Sequence, residues 1–308
     1  VGVSILGAGS IGLLFAAYLR EIGIKVTLYT RTTQQADLLN KDGFIFRNGE
    51  KKKHFSICAA QLTLNTEIND PFVIVSVKQH QLKEIMPVIK KNCHNRCFLF
   101  IQNGMGHLPF LEKLTHCSIV LGIVEHGAMK LSGNEVNHTG YGKVKIAPFD
   151  EGIDEEKLVF IESWSQHQFP IEFQQDWYKM LANKLVVNAL INPLTAIYRI
   201  KNGTLVKNGC FTKLMRQLYE ETVSVLMIQN EGLWDHVVSI CEKTAKNESS
   251  MLCDIKLKRR TEIDAISGYI LSLAKEQKKT LPYTEFVFTS IKALEVENSE
   301  AEQPYEKL

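Results

Sequence analysis

The sequence predicts an α/β domain followed by an all-α domain, on three observations. Residues 1–6 form a short apolar, β-prone run that leads directly into Gly7-Ala8-Gly9-Ser10-Ile11-Gly12 and then into helical spacing up to Gly23. Further apolar runs that stop at polar residues alternate with helical stretches through the first half, as in a parallel sheet with crossover helices. Beyond Trp177 only long helical patterns remain, and strand signals are absent. The chain has 308 residues, enough for two domains of ordinary size, and we divide it into 1–171 and 172–308.

Composition narrows the classes. Apolar residues make up 45% and charged residues 23%, which excludes a disordered chain. A formal charge of +2 gives no reason to expect nucleic acid or a membrane surface as partner. Lys51-Lys52-Lys53 is the one short basic run and reads as a solvated turn between strands. Residues 1–19 carry no charge and have the apolar look of a signal peptide or membrane span, but no basic segment precedes them and Gly7, Gly9 and Gly12 recur inside at a regular spacing. Seven scattered cysteines, without a CxxC pair, fit neither a disulfide framework nor a zinc site, so a reducing cytoplasm and no metal are expected.

In the first domain, strand, GxGxxG and helix occur in the order of a Rossmann-type dinucleotide-binding unit. Gly7 allows the tight turn, Gly9 lets backbone approach a pyrophosphate, and Gly12 lets helix and strand pack closely. The helix start, with Ser10 and Ile11, offers free N–H groups to the phosphates. A second strand follows over 25–29. NAD enzymes usually carry a carboxylate at its end, but here stand Thr30, Arg31 and Thr32, with no carboxylate before Asp37. A guanidinium pairs with a 2′-phosphate, so NADP is favoured over NAD, the alternative being an exposed loop arginine.

Two further apolar runs end at Lys78 and at Gln102-Asn103-Gly104. Strand ends of a doubly wound sheet face the ligand, which places Lys78 and Asn103 toward the cofactor. From 118 to 148, short alternating runs separated by glycines suggest antiparallel strands finishing the sheet. Residues 150–166 are charged with helical spacing, and 169–176 read as a last strand and linker.

The second domain reads as helices over 178–192, 210–231, 236–246, 262–278 and about 283–295, with a polar tail after 296 that is expected to fray. Lys184, Asn188 and Asn192 recur every four residues, so they share one face of an otherwise apolar helix that Pro193 ends or kinks. On the residues alone this row is either the wet side of an amphipathic helix or a set of functional groups. Asparagine is a poor helix former, and two at that spacing ask for a partner. Thr261-Glu262-Ile263-Asp264 resembles a capping box, with Thr261 at the N-cap. By itself Glu262 reads first as a carboxylate at a helix start, or as a surface partner of Lys258.

Taken together, GAGSIG at 7–12, VSVK ending at Lys78, QNGMG at 102–106, HGA at 126–128, NKLVVNALINPLTA at 183–196, Asn202-Gly203, SSM at 249–251 and TEID at 261–264 resemble the ketopantoate reductase family over nearly the whole chain. Glu125, before HGA, departs from the small or hydroxyl residue expected there. The resemblance implies that residues Gly7, Ala8, Gly9, Ser10, Ile11 and Gly12 hold the pyrophosphate of NADPH and Arg31 its 2′-phosphate. Lys78, Asn103 and Ala128 would line the cofactor side, and Glu262 would lie by the nicotinamide ribose. Lys184 would be the proton donor, with Asn188, Asn192, Asn202 and Ser250 holding the substrate.

The activity so implied is reduction of 2-dehydropantoate to (R)-pantoate in pantothenate biosynthesis, in a cleft between the domains, by a cytoplasmic monomer or homodimer. Two other readings stand beside it: an NADP-linked reductase of another small 2-oxo or 3-hydroxy acid, and a non-catalytic NADP(H)-binding sensor.

Overall fold

The computed structural model describes residues 1–149, 153–228 and 231–300. The chain forms two compact units. The first holds Val1–Gln102 and His107–Met180; the second holds Asn103–Gly106 and the chain from Leu181 onward.

The first unit is an eight-stranded sheet. At its centre β1 (Gly2–Leu6) runs parallel to β2 (Lys25–Thr30) on one side and β6 (Phe72–Val75) on the other, with Leu6 level with both Tyr29 and Val75. Beyond β2 lies β5 (Cys58–Gln61), and beyond β6 come β7 (Cys97–Phe100), β8 (Ser118–Val124), β11 (Val144–Pro148) and β12 (Ile171–Phe173). β11 is antiparallel to β8, and the other pairs are parallel. The central strands are apolar on both faces because both are covered. Their helices are α1 (Ser10–Glu21), α2 (Thr33–Asp42), α3 (Gln79–Lys91), α4 (Leu108–Leu111) and α5 (Glu155–Glu162). Residues 1–19 are thus a core strand and the buried part of α1, where Phe15 and Tyr18 pack against Phe169 at ring distances of 5.0 and 4.4 Å.

Two strand expectations need correction. β9 (Gly127–Ser132) and β10 (Glu135–Gly140) do not finish the main sheet. They join β3 (Phe44–Asn48) and β4 (Lys51–Phe55) in a separate sheet of order β4-β3-β10-β9. Phe44, Phe46 and Val136 are its fully buried residues and join the core of α1. Alternation predicts a strand but does not choose its partner. The lysines at 51–53 lie within β4 and are exposed, the turn falling at Gly49 and Glu50. The expected division at 171/172 falls inside β12, whose pairing with β11 keeps it in the first unit. Of the charged stretch 150–166, Glu155–Glu162 is helical, and 150–152 lie outside the described residues.

The second unit is helical. α6 (Trp177–Tyr198) continues through Pro193 instead of ending there. Its flanks are buried at Leu185, Val186, Leu190, Ile191, Leu194 and Ala196, and burial on this scale outweighs the one hydrogen bond that proline removes. The Thr195 hydroxyl donates back to the Ile191 carbonyl at 2.7 Å within the same turn. Among the described residues, α6 is the one helix long and apolar enough to cross a membrane by length and composition. The window that passes is 83% buried, as in the core helix of a globular domain.

After α6 come α7 (Thr204–Lys207), α8 (Gly209–Leu226), α9 (Leu233–Lys243) and α10 (Ser250–Lys256). The helix expected over 210–231 stops at Leu226 because Met227 turns left-handed at φ 52°, and 229–230 lie outside the described residues. The helix expected at 262 is also corrected. Residues Ile263–Ala265 make a single 3₁₀ turn, and α11 (Ser267–Glu276) begins after it. Thr261 does not cap that helix: its hydroxyl donates to Glu295 at 2.7 Å and accepts from the Ile263 N–H. α12 (Pro282–Glu300) extends into the tail expected to fray, of which 301–308 lie outside the described residues.

Candidate active site

The glycine turn is built for close approach. Gly7 sits at φ 110°, where a Cβ would meet the Val77 nitrogen at 3.0 Å, and the Ser76 hydroxyl donates to the Gly7 carbonyl at 2.8 Å. A Cβ on Gly12 would lie 1.9 Å from the Gly7 carbonyl oxygen, so only glycine lets α1 start against β1. Gly9 differs: a Cβ there would meet nothing within 4 Å. No side chain caps α1 at Gly9, and helix geometry leaves the first-turn N–H groups of Ser10, Ile11 and Gly12 without intrahelical acceptors. Open space beside uncapped N–H groups suits a phosphate.

Beyond the carboxyl ends of β1, β2 and β6 opens a cavity of about 600 Å³, within the range of cofactor sites. Gly7, Ala8, Gly9, Arg31 and Lys78 line it together, as read from the sequence. Arg31 is exposed just past the end of β2. Among the lining residues that the sequence did not single out, two hold the glycine turn. Gln35 donates to the Ala8 carbonyl at 3.0 Å and to Gly133 at 2.7 Å, and the Lys130 ammonium reaches the same Ala8 carbonyl at 3.0 Å. The Lys130 backbone N–H also donates to the Ser10 hydroxyl at 3.2 Å. Ala128, on β9, lies opposite His138 of β10 and packs against the core, whereas Lys130 lines the cavity. Period-two spacing from Ala128 was the available signal for Lys130. Arg31, Lys78 and Lys130 set three cations against Glu84, a balance suited to phosphates.

His126, the first residue of HGA, belongs to a buried network. The Gly142 N–H donates to its Nδ1 at 3.2 Å, and His138 Nε2 lies 3.1 Å from the same atom. The Tyr18 hydroxyl stands 2.8 Å from His138 Nδ1. One assignment fits these contacts: Tyr18 donates to His138 Nδ1, and the His138 Nε2–H is shared between the Gly140 carbonyl at 3.0 Å and His126 Nδ1. Burial, with His138 adding, lowers the His126 pKa to about 4, so its Nδ1 remains an acceptor at neutral pH.

In the second unit, α6 carries Lys184, Asn188 and Asn192 along one face. Lys184 is half-buried, while Asn188 and Asn192 are only 7% and 9% exposed. Among the described residues, neither asparagine side chain has a hydrogen-bond partner in the protein. Buried carboxamides normally find one. Asn202 donates from its amide to the Thr244 hydroxyl at 2.9 Å, leaving its buried Oδ1 without a partner. Ser249 caps α10, accepting from the Leu252 N–H, and its hydroxyl lies 2.7 Å from that of Thr195, to which it donates because the single Thr195 proton goes to the Ile191 carbonyl. That bond brings the start of α10 to the Asn192 end of the row, and Ser250 is exposed there.

The QNGMG segment belongs to this unit from Asn103 on. The Met105 N–H donates to the Ala265 carbonyl at 3.1 Å, and a Cβ on Gly104 would lie 2.2 Å from that oxygen. Asn103, read as a strand-end residue facing the cofactor, donates its amide to the Glu262 carboxylate at 2.9 Å.

Two family profiles match the chain: ketopantoate reductase PanE/ApbA over residues 3–151 and the C-terminal part of ketopantoate reductase PanE/ApbA over 176–295. The chain belongs to the ketopantoate reductase family. Within it, the chain is 38% identical over 297 residues to the 2-dehydropantoate 2-reductase of Bacillus subtilis (strain 168), covering 95% of this chain and 97% of that one. Its fold matches the crystal structure of the probable 2-dehydropantoate 2-reductase panE from Bacillus subtilis with a TM-score of 0.88 at 37% identity, over 96% of this chain and 100% of that one. D-mandelate dehydrogenase, in a ternary structure with NADH and anilino(oxo)acetate, also reaches a TM-score of 0.88, over 97% of this chain and 100% of that one. Its identity is 22%, so that likeness is one of fold. The resemblance carried by the motifs and the expected fold class are both borne out.

Proposed function

We infer that the protein is an NADPH-dependent 2-dehydropantoate 2-reductase, reducing the C2 ketone to give (R)-pantoate for pantothenate biosynthesis. Family membership carries the activity, and the observation that supports it in this chain is the pair of little-exposed carboxamides, Asn188 and Asn192, that have no hydrogen-bond partner among the described residues and stand in line with Lys184. When bound, the reduced nicotinamide supplies the hydride. As the hydride arrives, the ketone oxygen gains negative charge that must be met as it forms. The Lys184 ammonium meets it as a fixed cation and gives the proton. Asn188 and Asn192 hold the hydroxyl and carboxylate of the acid, with donors and acceptors that add no competing charge. Asn202 and Ser250 extend that set, and Asn103 and Glu262 act as one unit toward the nicotinamide ribose.

On the cofactor side, the α1 N-terminus and the glycine turn take the pyrophosphate, and Arg31 and Lys78 supply cations for its phosphates, Arg31 for the 2′-phosphate. Gln35 and Lys130 hold the Ala8 carbonyl so that the turn keeps its N–H groups toward the ligand. The enzyme works as a monomer or homodimer on a small keto acid, and its seven thiols suit the cytoplasm. NADPH oxidation followed with 2-dehydropantoate and with other small 2-oxo acids tests the reading. Faster turnover of another 2-oxo acid would transfer the activity to that substrate. Absence of turnover with any of them would leave a cofactor-binding sensor.

A further inference from the structure

Where β7 and β8 begin, at one end of the first unit's sheet, two thiols from different loops stand together. Cys93 follows α3 and Cys117 precedes β8, and their Sγ atoms are 3.0 Å apart. The loops are braced beside them. The Ser118 N–H donates to the Arg96 carbonyl at 2.9 Å, and the rings of His94 and His116 stack with centroids 5.3 Å apart. Asn95 and His116 hold left-handed turns at φ 57° and 68°. Strand pairing of Cys97 with Ser118 fixes the register from which both loops depart. The sulfurs therefore meet through the fold, not through a flexible tail.

The surroundings favour oxidation at this pair over the buried Cys97 and Cys241. A hydrogen bond with Cys117 lowers the Cys93 pKa, and Arg96 and Lys90 add to that against the effect of burial. Arg96 is itself anchored, donating to the carbonyls of Asn92 and His94 at 3.0 and 3.2 Å. Burial pushes the Cys97 thiol up to about 12 and Cys241 to about 11, which keeps both protonated and inert. Cys93 is only 4% exposed, but Cys117 is partly open to solvent.

We propose that Cys93 and Cys117 are a modification site that a peroxide converts into an intramolecular disulfide. The Cys117 sulfur attacks one peroxide oxygen as its proton passes to the adjacent Cys93 thiolate. The O–O bond breaks, the leaving hydroxide takes that proton back from Cys93 as water, and Cys117 becomes a sulfenic acid. The Cys93 thiolate then attacks that sulfur. The S–S bond forms, the S–O bond breaks, and the second hydroxide leaves as water. Two thiols lose two electrons and two protons, and the peroxide takes them up.

The test is peptide mapping of the reduced full-length protein after treatment with hydrogen peroxide, alkylation of remaining thiols and digestion. The expected product is a peptide pair joining Cys93 to Cys117, lighter by two hydrogen atoms and separated again by dithiothreitol. Cys97 and Cys241 should be alkylated only once the chain is unfolded. Under the same treatment Cys117→Ser should yield no crosslink and leave the Cys93 thiol available to alkylation on unfolding. Recovery of Cys93 and Cys117 from the treated wild-type protein as separate alkylated or oxygenated peptides would overturn the proposal, as would a bond from Cys93 to Cys97.

Discussion

The Asn103 amide donates to the Glu262 carboxylate at 2.9 Å, across 159 residues of sequence. A hydrogen bond to a charged group contributes about 1.5–3 kcal/mol, roughly one to two powers of ten in an equilibrium constant. Glu262→Gln keeps the shape and removes the charge. It should lower kcat/KM about 10- to 100-fold, while Asn103→Ala should fall in the same range and add little to it in the double variant. Independent, additive losses in a double-mutant cycle would show that the two do not act together.

Lys184→Ala should cut kcat by orders of magnitude with NADPH affinity nearly unchanged if, as proposed, the ammonium serves the ketone oxygen and not the cofactor phosphates. Stopped-flow turnover and a fluorescence titration of NADPH read the two effects separately. Intact turnover in this variant would remove Lys184 from its role.

Among the described residues the side chain of Asn188, itself 7% exposed, has no hydrogen-bond partner, so its amide serves no bond within the described fold. Asn188→Leu, close in volume, removes an amide on which no hydrogen bond of the described fold relies. Tm should hold or rise while KM for the keto acid increases at least tenfold. A drop in Tm with unchanged KM would mean that the amide supports the fold.

Arg31 is exposed beside the cavity, where a guanidinium discriminates by charge. Arg31→Ala should raise KM for NADPH by about 10- to 100-fold and leave KM for NADH nearly as it was. Equal losses with both cofactors would place Arg31 outside 2′-phosphate recognition.

Stability should fall as pH drops below neutrality. Burial lowers the pKa of His107 and His126 to about 4 in the folded chain, and lowers His138 as well. Unfolded, each titrates near its ordinary value of about 6.5. Between about pH 6.5 and 4 the unfolded chain therefore binds more protons, and folding weakens with every step down. Above about 6.5 these groups are neutral in both states and the dependence vanishes. Urea midpoints measured across that window should decline. His126→Gln, which retains a polar side chain, should flatten the decline. A flat profile in the wild-type protein would contradict neutral buried histidines.

Local chemistry made much of this legible from sequence. The glycine turn was readable because its φ and close contacts admit only glycine at Gly7 and Gly12, and Arg31 because a strand end must point at the cavity. The row on α6 was visible as a period-four polar pattern in apolar surroundings. Pro193 misled because a local rule ends a helix there, whereas burial along α6 keeps it whole. Thr261 misled in the same way, its hydroxyl being drawn to Glu295 on a distant helix.

Short-range physics in the sequence determined the alternation of strand and helix, the phosphate-binding turn and the residues of the polar row. Tertiary structure alone decided that β9 and β10 leave the main sheet, that Lys130 reaches the Ala8 carbonyl, that Asn103 meets Glu262 and that Cys93 meets Cys117. Each of these depends on which surfaces pack together. Periodicity and backbone preference fix how a segment folds, but they carry no address for the distant segment it will touch.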